Sequence, residues 1–222
     1  MRSTPPLPDW IRDFSHDGYT NIFKLRSEET KLFVTETLFG DWDGSVLLLA
    51  KDAAPVHVIE ARIDSGEMDP WRHSRKGLDP MGWRTNERVE EIAALLPGAK
   101  LYGSALANLM KNGEETSGRL GDFSSGPLRE HLGDVLRFVV REMPNLRAIV
   151  CLGNDAWDLV TSVYAPPTPE AWPLGEPVPA VDDSRELLLF RLYHPSRAFR
   201  GRWVARRKEW RRVADELRGG AG

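Results

Sequence analysis

The chain has 222 residues, 41% of them hydrophobic, and a formal net charge of −3. That is apolar material for one sizeable core, and the charge argues against a nonspecific polycation. No apolar run approaches the roughly 20 residues that span a bilayer, and Met1-Arg2-Ser3-Thr4-Pro5-Pro6 lacks an apolar signal core, so a cytoplasmic protein without membrane contact is expected.

Residues 1–45 read as a helical and loop lead-in to a single domain covering 1–222. Within it, Ile22, Leu25, Leu32, Val34 and Leu38 among charges predict a helix over 21–39. After the turn at 40–45, Val46-Leu47-Leu48-Leu49-Ala50 is a continuous apolar run, the pattern of a parallel strand buried on both faces. Lys51-Asp52-Ala53-Ala54-Pro55 reads as a loop, and 61–85 as a long irregular segment. A helix is predicted from Asn86 to Leu96, stopped by Pro97-Gly98, then a short strand over 100–104 and a Gly/Ser-rich loop over 112–126. Leu132, Val135, Leu136, Val139 and Val140 put one apolar face on a helix over 128–143. A strand over 147–152 and a helix from Gly153-Asn154-Asp155 to about Val163 follow. The proline-rich 165–181 reads as loop, 187–193 as strand, and about 202–217 as the last helix. Strands alternating with helices predict a three-layer α/β/α sandwich with a central, mainly parallel four-stranded sheet. Ligands of such sheets sit at the carboxyl ends of the strands.

Cys151 is the only cysteine, which excludes an intrachain disulfide and any four-cysteine metal or iron–sulfur site. Inside Ala148–Leu152 it reads as a small buried residue. The charge is unevenly distributed. Arg191 to Arg212 carries nine Lys/Arg against the single acid Glu209, a basic face suited to phosphates. The plainer alternative is a solvated helix whose cations pair with acids elsewhere. Tyr193-His194-Pro195-Ser196 lies between the last strand and this basic stretch. It joins a histidine at a strand end to a run of phosphate-binding residue types.

Three segments, Leu47–Pro55, Ala105-Leu106-Ala107-Asn108-Leu109-Met110 and His194-Pro195-Ser196, together resemble the motifs of the uracil-DNA glycosylase superfamily over about residues 46–212. Ala148–Gly153 resembles that family's strand before the last motif. The resemblance implies a cofactor-free, monomeric enzyme acting on uracil-containing DNA, single- or double-stranded, by base flipping. Asp52 would stabilise the sugar cation and position water, and His194 would donate to uracil O2 as charge develops there. Asn108 would accept from N3–H and donate to O4, which refuses cytosine. Lys51 would lie near the site, facing a phosphate. Trp71 or Trp83 would stack on the flipped base, with Met81 as a further candidate. Phe199 or Arg197 would fill the hole in the duplex, and Ser196, Arg200 and Arg202 would contact the backbone.

Departures are equally specific. The family's Gly-Gln-Asp-Pro-Tyr is replaced by Ala50-Lys51-Asp52-Ala53-Ala54, so the tyrosine that blocks the thymine methyl is missing. The single cysteine places the chain with the members lacking an iron–sulfur cluster. The alternatives are a glycosylase for another deaminated base, such as hypoxanthine or xanthine, and a non-catalytic protein of the same fold that binds uracil-containing or abasic DNA. A nucleotide-binding α/β domain is disfavoured because no glycine-rich loop follows the first strand.

Overall fold

A computed structural model describes residues 5–24, 42–50, 55–65, 84–112, 126–164, 174–183, 185–194 and 203–219. The elements in chain order are α1 (Asp9–Arg12), β1 (Tyr19–Asn21), a 3-10 turn (Ile22–Lys24), β2 (Val46–Ala50), α2 (Val56–Asp64), α3 (Arg84–Leu95), β3 (Ala99–Ser104), β4 (Leu109–Lys111), α4 (Pro127–Glu142), β5 (Ala148–Leu152), α5 (Asn154–Tyr164), β6 (Val178–Asp182), β7 (Arg185–Leu192) and α6 (Trp203–Gly219).

Among the described residues the main sheet has five strands in the order β3-β2-β5-β7-β6. Neighbours from β3 to β7 are parallel, and β6 is antiparallel to β7. The four parallel strands match the sequence pattern. The fifth, β6, corrects the expectation of a loop over 165–181. Pro179 lacks a backbone N–H, which confines such a strand to an edge, and β6 holds that place. Asp182 and Asp183 open the hairpin to β7, with Asp183 at φ +54. Arg185 then donates to the carbonyls of Met143 (2.7 Å) and Val140 (2.5 Å), capping α4.

Alternate residues of each central strand feed two cores. Leu47, Leu49, Ile149, Cys151, Leu187 and Leu189 pack against α4 and α5. Val46, Leu48, Val150, Leu152, Phe190 and Leu192 pack against Ile92 of α3 and against Trp210, Val213 and Leu217 of α6. Helices therefore cover both faces, which is the expected three-layer arrangement. Cys151 is fully buried, and burial raises its thiol pKa far above the ordinary range, in keeping with its reading as a packing residue.

Two smaller expectations change. Residues 56–64 are helical, so the irregular segment does not begin at 61. The helix expected over 21–39 does not begin at 21: Asn21 ends β1, which pairs antiparallel with β4, and a 3-10 turn follows. Residues 25–39 lie outside the described residues. No helix among those described is long and apolar enough to cross a membrane.

Candidate active site

The strand order locates the edge where a ligand fits. From β2 the chain moves to β3 on one side, then to β5 on the other, so the winding reverses between β2 and β5. In doubly wound sheets the ligand crevice opens at the carboxyl ends of the strands flanking that reversal. Register keeps these ends level: Leu49 stands beside Cys151, and Leu152 beside Leu192. Ala50 and Leu192 are thus two strand spacings apart, about 10 Å. The chain leaves β2 toward Lys51 and Asp52, and leaves β7 toward Tyr193 and His194.

Gly153 joins the ends of β5 and β7. Its N–H donates to the Leu192 carbonyl at 2.8 Å. Its φ of +106 and the absence of a side chain let His194 lie close, since a Cβ here would stand 3.3 Å from the His194 Cβ. His194 is half-buried. Beside it, Arg191 donates to Asn154 Oδ1 at 2.8 Å, at the start of α5. The Asp158 carboxyl, close to Arg191, is raised above its ordinary pKa by burial and by Asp155, with Arg191 opposing.

Asn108 departs from its expected role. Its side chain is fully buried. Nδ2 donates to the Ile11 carbonyl at 2.7 Å, so Oδ1 is the acceptor facing His131 Nε2 at 2.9 Å. The imidazole therefore carries its proton on Nε2. Both ends of the amide are satisfied within the protein, and neither is open to a base. The turn that delivers Asn108 is tight, with Ala107 at φ +50, a conformation costing a non-glycine residue about 1–2 kcal/mol. His131 is itself stacked on Phe14 at 3.6 Å and edge-on to Trp10 at 5.9 Å. Burial lowers its pKa from 6.5 to about 4 despite Asp134 nearby. Asn21 completes this interior cluster, donating to the carbonyls of Ile11, Arg12 and Phe14.

The basic helix is partly the paired surface of the plainer reading. Arg207 meets Glu91 of α3, and Arg212 meets Glu176, each at 2.9 Å. Arg206 differs: its guanidinium lies over the Tyr193 ring, 3.6 Å from the centroid. Lys51, Asp52, Trp71, Met81, Trp83, Ser196, Arg197, Phe199, Arg200 and Arg202 lie outside the described residues.

Sequence reasoning missed three residues. His131 precedes the apolar positions 132–140 of α4 in sequence, and only the partner 23 positions away gives it meaning. Gly153 carried a signal, a glycine between strand and helix. Arg206 was one cation among many. Among the described residues, no group of three or more His, Cys, Asp or Glu is placed to hold a metal ion. The chain matches no known family model and no curated protein.

Proposed function

We propose that this protein is a monofunctional DNA glycosylase that hydrolyses uracil from DNA and leaves an abasic site. The observation that carries the reading is the level register of β2, β5 and β7 at the reversal of winding. Ala50, two residues before Asp52 in sequence, and Leu192, two before His194, end at the same edge of the sheet, which supports a two-group mechanism. The C1′–N1 bond breaks with its electrons passing to uracil. The Asp52 carboxylate stabilises the sugar cation and directs water to C1′, and the His194 N–H stabilises charge on uracil O2. Gly153 supports the histidine through the close approach described above.

The buried amide of Asn108 favours a second reading, a glycosylase with another or broader base range. With that amide engaged by Ile11 and His131, base choice falls to other groups, and hypoxanthine or xanthine becomes a candidate substrate. A labelled oligonucleotide with one uracil, incubated with protein and then heated in alkali, tests both. Cleavage only after alkali, abolished in Asp52→Asn and slowed about 100-fold or more in His194→Ala, is the expected result. Cleavage of hypoxanthine or xanthine duplexes in preference to uracil would transfer the assignment to the second reading. Absence of cleavage on every lesion, single- or double-stranded, would overturn both.

A further inference from the structure

We propose that the ring of Tyr193 is a stacking platform for an unpaired DNA base, so that the substrate is single-stranded or locally opened DNA. The proposal deepens the glycosylase reading and rests on its DNA contact, not on its excision step.

Three large apolar side chains stand out as exposed among the described residues: Trp10 (44%), Val181 (60%) and Tyr193 (42%). Trp10 is held edge-on to His131 and Phe138 against α4. Val181 lies on the edge strand β6 opposite Glu186, near the amino end of β7. Tyr193 stands at the carboxyl edge, between Leu192 and His194. Its position is the one that matches where the sheet topology puts a ligand.

Its surroundings suit a nucleic acid. The Arg206 guanidinium is stacked over the ring at 3.6 Å, within the range of a cation–π contact. That contact orders the aromatic ring in advance, so stacking a further group on it costs little additional side-chain entropy. The guanidinium places a positive charge next to the ring, which suits a base with its phosphate. Every base offers a π face, so the platform is tolerant of sequence. A base within a duplex is already stacked on both faces, and must be unpaired to use it.

The test uses the 222-residue protein and an oligothymidine carrying one central 2-aminopurine deoxynucleotide, which does not pair with itself, with binding followed by anisotropy and stacking by quenching of 2-aminopurine fluorescence. Wild type should bind the single strand more tightly than its duplex and quench it. Tyr193→Leu should lose part of the quenching and weaken binding by about 5- to 150-fold, the equivalent of roughly 1–3 kcal/mol for one stacked base. Tyr193→Phe should behave as wild type. Equal thermal midpoints for the three proteins exclude a folding defect. Unchanged affinity and quenching in Tyr193→Leu would overturn the platform while leaving uracil excision standing. Quenching that depends on Tyr193 in a protein that excises no base would overturn the glycosylase reading and leave the platform. A self-association lost in Tyr193→Leu, with DNA binding intact, would reassign the ring to a contact between copies and overturn the proposal.

Discussion

Two polar clusters of this protein, both near the carboxyl side of the sheet, differ in how completely they are paired. The interior one, Asn21, Asn108 and His131, is closed: the amides of both asparagines meet backbone carbonyls, and His131 meets Asn108. The edge one, around Arg191, Tyr193 and Arg206, is less complete, with the buried Arg191 Nε and Arg206 Nη1 lacking partners among the described residues. Buried polar atoms are nearly always satisfied in folded proteins. A closed cluster therefore fixes the chain, here by fastening α1 to α4 and the β3–β4 turn. The edge cluster leaves part of its hydrogen-bonding capacity unused among the described residues. The asparagine that looked most like a ligand reader belongs to the first kind.

The sharpest way to break this contrast is Asn108→Ala. It strands the His131 N–H in the interior and removes one of the two donors to the Ile11 carbonyl, which keeps Asn21; at about 1–3 kcal/mol for the orphaned group and about 0.5–1.5 kcal/mol for the lost bond it should destabilise the fold by about 2–4 kcal/mol. Denaturant unfolding measures it. Unchanged stability with a large loss of kcat/KM would move Asn108 back to the base-reading role.

A slightly smaller effect should come from pH. The folded state holds His131 neutral down to about pH 4, whereas the unfolded chain protonates near 6.5. Its contribution is complete above pH 6.5, falls away as the pH drops from there to about 4, and is absent below. Two and a half units correspond to about 3 kcal/mol at most. Unfolding curves across this range for wild type and His131→Phe should differ in slope, the variant being flatter. Parallel curves would remove His131 from the closed cluster.

Gly153→Ala probes the sheet edge. The new methyl meets the His194 Cβ, and φ +106 suits alanine poorly. A cost of about 1–3 kcal/mol is expected from such backbone strain, together with a fall in kcat on a uracil oligonucleotide as His194 is displaced. A stability loss with kcat unchanged would show that Gly153 matters for folding alone. The smallest effect belongs to the paired surface of α6. Arg207→Ala removes a half-exposed ion pair with Glu91 and should change stability by less than about 1 kcal/mol. It should also leave affinity for DNA nearly unchanged. A large loss of affinity would place Arg207 in the proposed DNA contact.

Much of the fold was legible locally. Apolar runs at 46–50 and 148–152 mark strands covered on both faces, and the spacing over 128–140 marks a helix with one buried face. These patterns need only the period of the backbone and the tendency of apolar groups to leave water. β6 was hidden because Val178, Ala180 and their neighbours lie among prolines and gain their strand geometry only from pairing with β7. β1 and β4, three residues each, are too short to carry a period of their own. At the site, His194 could be read as a strand-end residue from its place after an apolar run, and it lies there. The bland reading of the basic helix was also visible in advance, and Arg207 and Arg212 obey it.

The sequence by itself thus determined the class of layers and the residues that line them, because hydrophobic periodicity is a property of neighbours along the chain. The tertiary structure decided the strand order, and with it the edge where winding reverses. It also decided which polar side chains joined the closed cluster. Asn108 and His131 are 23 residues apart, Tyr193 and Arg206 lie on different elements, and a hydrogen bond or a stacked ring between such pairs exists only once the sheet has brought them together.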